Sequence, residues 1–121
     1  NMKVNDIKNI IKKVYPTIAK DYNSNAKVEL HKNIFARLNS IPAENESIAL
    51  AEYDWNENKI YIYAENIKSL EDIVCSLIHE CVHSKQSYDL YIAYKLIGLD
   101  YDTHPYEIEA SYEENKWKKY I

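Results

Sequence analysis

The sequence predicts a single α+β domain. Three observations carry this: a long amphipathic helical pattern opens the chain, a strand and a β-hairpin follow, and the remainder reads as successive helices. The order helix, strand, hairpin, helix, helix, helix has no βαβ alternation, internal repeat, low-complexity tract or linker. At 121 residues the chain has room for one core and little else.

Each element has its own local reason. From Asn5 to Tyr22, Ile7, Ile10, Ile11, Val14, Tyr15 and Ile18 form a 3.6-residue stripe, with Asn5 or Asp6 as the expected N-cap and Pro16 as an expected kink or break. Asp21 to Asn25 reads as a polar connector. Val28 and Leu30 alternate with Glu29 and His31, the period of a strand. Ile34 to Leu38 is too short to assign, and Asn39 to Ser47, carrying Pro42, reads as a surface loop. Ile48 to Asp54 and Lys59 to Tyr63 flank the turn-prone Trp55-Asn56-Glu57-Asn58, which predicts a hairpin. Ile60 and Ile62 alternate with Tyr61 and Tyr63, so one buried face is expected. Ser69 with Asp72 forms a capping box before the stripe Leu70, Ile73, Val74, Leu77, Ile78, Cys81 and Val82. A further helix over Tyr88 to Leu99 is expected to end at Gly98, and a last one runs from Tyr106 to Tyr120 after the loop Asp100 to Pro105.

Composition excludes several functions. Acidic residues outnumber basic ones 19 to 15, for a net charge of -4, so a phosphate-tracking nucleic-acid surface is not expected. The chain holds one glycine, too few for a G-x-G-x-x-G dinucleotide loop or a P-loop. No apolar run approaches the roughly 18 residues of a spanning helix, and no secretory leader is written at the start, so neither a membrane nor a secretory role is expected. Asn1, ahead of Met2, looks like an expression remnant and is expected to take no part in the fold. Cys75 and Cys81 lie on one helical pattern without a C-x-x-C, which points to buried, reduced thiols and a cytoplasmic protein.

The chemistry sits in His79-Glu80-Cys81-Val82-His83, an H-E-x-x-H within the capped helix. Residues i and i+4 share a helix face, so two imidazoles can converge on one metal ion while the glutamate carboxylate is left for a metal-activated water. A third ligand is required, and four residues compete for it. Asp89 stands where a metzincin would place its last ligand, but Gln86 replaces the glycine such a turn needs. His104 is a loop imidazole. Glu107-Ile108-Glu109-Ala110-Ser111 opens a helix that can pack against the metal helix, and of Glu107 and Glu109 only one can face it. Tyr88, Tyr91, Tyr101 and Tyr106 lie near enough in sequence to support an oxyanion, without a choice among them. His31 reads as a surface strand residue.

H-E-x-x-H followed by a helical glutamate and a small residue resembles the gluzincin zinc metallopeptidases. The likeness is to minimal members: minigluzincins and the phage or mobile-element ImmA/IrrE-like peptidases. It spans roughly Ile48 to Trp117. The resemblance implies a small zincin-like fold, a Zn2+ cofactor, and a peptide or protein substrate bound along the hairpin edge by strand addition. Laid on the family pattern E-x-x-A-[D/N], it implies Glu107 as the third ligand beside His79 and His83, with Ala110 allowing close helix approach. Ser111 stands where Asp or Asn would support a ligand histidine, and Glu109 is the fallback ligand. Glu80 is implied as general base. The alternative expectation is a zinc-binding regulatory or interaction module without efficient turnover, because so short a chain leaves little to wall a substrate cleft.

Overall fold

Residues 2–38 and 48–121 are described by a computed structural model. The architecture is α+β, with one three-stranded mixed sheet and five α-helices among the described residues. The expected loop over Asn39 to Ser47 lies outside them.

Helix α1 (Val4–Asp21) buries Ile7, Ile11, Val14 and Ile18, the predicted stripe. The helix starts after Lys3, which makes no side-chain cap, and the break expected at Pro16 does not occur. Pro16 and Lys12, whose carbonyl the proline leaves without an i→i−4 donor, both lie on the exposed face. Water can serve that carbonyl while Val14 and Ile18 anchor the helix on either side.

Strand β1 (Lys27–His31) runs parallel to β3 (Lys59–Tyr63), and β2 (Ala51–Asp54) pairs antiparallel with β3, in the order β1-β3-β2. The hairpin is as predicted, although β2 starts at Ala51 rather than Ile48. Asp54 Oδ1 accepts hydrogen bonds from the amides of Asn56 and Glu57, which closes the turn. The one-sided burial expected for β3 is corrected. As the middle strand it is covered on both faces, with Ile60 and Ile62 in the main core and Tyr61 and Tyr63 against Ile34. Ile34 belongs to a short helix, α2 (Ile34–Leu38), that the sequence left unassigned. From it Arg37 donates to the Tyr63 hydroxyl at 2.7 Å and lies 4.2 Å from the Tyr61 ring centroid.

A 3-10 turn (Ala64–Asn66) leads to α3 (Leu70–His83). Ser69 Oγ caps it by accepting from the Asp72 amide, and the Asp72 carboxylate accepts from Lys68 N rather than from Ser69 N. Helix α3 is the hub. It packs against α1, both hairpin strands, α5 and the C-terminal 3-10 segment. Ile73, Val74, Leu77, Ile78 and Cys81 are fully buried, and Ser76, His79, Glu80 and His83 are buried on its other sides. Cys75 departs from the expected buried thiol: it is half-buried and borders the cleft described below, whereas Cys81 is in the core. Both thiols are free.

Helix α4 (Tyr88–Leu96) is capped by Ser87 Oγ on the Leu90 amide. It stops where Gly98 takes φ 96°, with Leu99 N bonding to Tyr94 O and Gly98 N to Lys95 O. The last helix differs from expectation. Helix α5 (Pro105–Glu113) ends early, and Glu114–Tyr120 continues as a 3-10 helix. In a three-residue repeat, Glu114, Trp117 and Tyr120 fall on one ridge. That ridge faces inward: Trp117 and Tyr120 pack on the core, and the Tyr120 hydroxyl donates to Asp21 at 2.7 Å. No helix of the described residues is long and apolar enough to cross a membrane.

Candidate metal centre

His79 and His83 sit one turn apart at the C-terminal end of α3, and Glu107 lies in the first turn of α5. Ala110, one turn beyond Glu107, is fully buried, and with no bulk at that position α5 can lie close to α3. The three side chains converge. Glu107 Oε1 stands 2.9 Å from Nε2 of His79 and 2.9 Å from Nε2 of His83. All three residues are buried, and their ligand atoms lie within 4.8 Å of one another.

The far side of each ligand is held. Nδ1 of His79 lies 2.7 Å from Glu114 Oε2, and Nδ1 of His83 lies 2.6 Å from Gln86 Oε1. Gln86 Nε2 donates to the Tyr106 carbonyl at 3.1 Å and to Glu109 at 2.7 Å, so its oxygen must be the atom facing His83. A carboxylate and an amide oxygen only accept, so both Nδ1 atoms carry hydrogen. Both Nε2 atoms then point at one place, on Glu107 Oε1, and a metal there would displace their protons and leave the Nδ1–H form a metal site requires. The second oxygen of Glu107, Oε2, accepts from the Tyr91 hydroxyl.

These residues fit a metal ion. Ligand atoms of a tetrahedral zinc stand about 3.3 Å apart when its bonds are about 2.0–2.1 Å. The 2.9 Å contacts between Glu107 and the imidazoles would open by only a few tenths of an ångström. Without a metal the charges compensate one another. Burial pushes the His79 pKa down, but the hydrogen bonds of Glu107 and Glu114 and the nearby Glu80 charge outweigh it and raise it to about 10. Burial also pushes His83 down, but its hydrogen bond to Glu107 and the Glu80 and Glu107 charges outweigh it, and His83 is raised. Burial would raise Glu107, yet its two imidazole partners hold it well below the usual carboxylate range. Glu80 is raised, chiefly by burial. Tyr91 is raised by burial and by Glu107, which keeps its phenol a donor.

Glu80, His79, His83 and Glu107 open onto a cleft of about 580 Å3. Edge strand β2 with Trp55 forms one wall, and α3 from Glu71 to Ser76 lines its length. Aromatic rings frame the imidazoles: Tyr101 stacks on His79 at 6.2 Å, and Trp55 and Tyr91 lie 6.0 and 5.5 Å from His83.

Other candidates fall elsewhere. Asp89 is exposed at the start of α4. His104 is buried but occupied: Nδ1 accepts from Tyr106 N at 3.1 Å and caps α5, while Nε2 donates to the Tyr91 carbonyl at 2.9 Å. Glu109 is exposed and bonded to Gln86. His31 pairs with Glu29 on β1. The expectation that Ser111 supports an imidazole is corrected. Its Oγ lies 3.3 Å from the Tyr101 hydroxyl, and Glu114 contacts His79 instead. Of the four tyrosines, Tyr91 and Tyr101 border the cleft, Tyr88 packs on Trp55, and Tyr106 packs on Tyr94. Sequence reasoning missed the roles of Glu114 and Gln86. The signals were present: Glu114 lies two turns beyond Glu107, and Gln86 three residues beyond His83.

No protein-family model, curated protein or solved structure matches the chain.

Proposed function

We propose that the chain is a zinc-dependent peptidase of minimal gluzincin type, with His79, His83 and Glu107 holding the metal and Glu80 as general base. The observation that carries this reading is the convergence of two imidazoles, each held through Nδ1, and one carboxylate oxygen beside a cleft that Glu80 also lines. Two imidazoles and a carboxylate with an open side are the donor set of hydrolytic zinc sites. Zinc bound there would acidify water and polarise a scissile carbonyl.

The chain's own groups do the rest. Glu80 takes the proton of the attacking water and passes it to the leaving amine. Its burial favours this, because a carboxylate of raised proton affinity is the better base near neutral pH. Glu114 and Gln86 keep the imidazoles oriented while charge develops. Strand β2 is the edge of the described sheet and borders the cleft, so an extended peptide can add to it and lie across the site.

The test is Glu80→Gln. Zinc content should match the native chain, and cleavage of a mixed peptide library, read by mass spectrometry, should vanish. Zinc retained by the native chain without any cleavage would favour the binding-module reading. A native chain that holds no zinc would overturn both.

A further inference from the structure

Helix α4 has no buried residue, and Leu96 and Ile97 on it and at its end are largely exposed. Tyr91 is where it meets the candidate centre. Its ring lies 5.7 Å from Trp55, 5.5 Å from His83 and 4.3 Å from His104. Its carbonyl accepts from Nε2 of His104, and its hydroxyl donates to Oε2 of Glu107. His104 is the N-cap of α5, three residues before Glu107. A closed circuit results: the cap of α5 holds the Tyr91 main chain, and the Tyr91 phenol returns to the first turn of α5.

The two oxygens of Glu107 are thereby made unequal. Oε1 faces both imidazoles at 2.9 Å, while Oε2 is engaged by a phenol that can only donate to it. A carboxylate without such a partner can chelate a metal through both oxygens and take up an additional coordination position. We infer that Tyr91 is a positioning residue that restricts Glu107 to one metal-facing oxygen, Oε1, and so keeps a coordination position open on the cleft side. This rests on the metal-centre reading above. Tyr101 does not duplicate the role, since its hydroxyl is turned to Ser111.

Cobalt(II) is the probe, because its visible bands weaken as coordination rises above four. Tyr91→Phe keeps the ring and the carbonyl and removes only the hydroxyl; Tyr94→Phe removes a neighbouring hydroxyl that touches none of the three ligands. Tyr91→Phe should bind cobalt about 10–100-fold more weakly and show weakened, shifted bands, whereas Tyr94→Phe should match the native chain. Native bands with native affinity in Tyr91→Phe would overturn the inference, and so would weaker affinity with an unchanged spectrum, which marks a merely structural role. X-ray absorption of the native zinc-loaded chain reads the same point without a variant. One short carboxylate oxygen supports the inference, and two equivalent ones refute it. Absence of any cobalt bands in the native chain would instead remove the metal centre itself.

Discussion

Replacing Glu114 by alanine should weaken zinc binding through His79 while leaving the fold intact. Glu114 Oε2 sits 2.7 Å from Nδ1 of His79, so truncation strands an N–H donor and frees the ring to turn. A hydrogen bond to a charged group contributes about 1.5–3 kcal/mol. The Glu114 side chain is 33% exposed, so water replaces part of the bond and the lower end applies. About 1.5–2 kcal/mol corresponds to a roughly 10–30-fold rise in the zinc dissociation constant. Glu114→Gln keeps an acceptor without the charge and should fall between native and alanine. Ser111→Ala should leave zinc affinity unchanged, because its hydroxyl faces Tyr101. Competition against a chromogenic chelator measures all four proteins on one scale. The main-chain contact from Cys75 Sγ to the Glu114 carbonyl survives each substitution, and circular dichroism checks the fold. If Ser111→Ala weakened zinc binding as much as Glu114→Ala, the support assigned to His79 would be wrong.

Two further outcomes follow from the same geometry. In the metal-free chain His79, raised to about 10, holds two protons at neutral pH, so a metal on Nε2 must expel one. Zinc affinity should then fall about tenfold for each unit of acidification from pH 8 to 6, and calorimetry in buffers of different ionisation enthalpy should find at least one proton released; none released would refute the pairing. Stability of the metal-free chain runs the other way: the His79 contribution is complete below its usual 6.5 and lost as pH rises through about 10, while the Glu107 contribution is complete above its usual 4.5 and lost in acid. Its melting temperature should therefore be favoured between about pH 4.5 and 6.5 by this pair. Glu107→Ala should cost more than about 100-fold in zinc affinity, and Glu109→Ala less than about 10-fold; the reverse order would move the ligand by two residues.

Much of the fold was legible because its signals are local. The stripe of α1, the Ser69 cap of α3, the Asp54–Asn58 turn and the Gly98 stop each depend on residues within a few positions. The histidine pair belongs to the same class, since one helical turn places both rings on one face. Pro16 misled for the complementary reason. Its cost depends on whether the freed carbonyl reaches water, and only packing puts that face outside. The second buried face of β3 likewise required α2, whose five residues carry too short a pattern to read.

The sequence by itself determined the kind of site: two imidazoles and a carboxylate on a capped helix, with an acidic helix start to complete it. Tertiary structure alone decided which groups surround it. His79 and Glu114 are 35 residues apart, and His83 and Glu107 are 24 apart. Whether Glu107 or Glu109 faces the imidazoles depends on how α5 is rotated about its axis: packed against α3, it buries Glu107 and Ala110 and leaves Glu109 exposed. Whether Ser111 or Glu114 reaches His79 depends on how the end of α5 sits against α3; Glu114 contacts His79, while Ser111 Oγ lies beside the Tyr101 hydroxyl. Helical period states which residues share a face, but the direction of that face is set by contacts between distant segments.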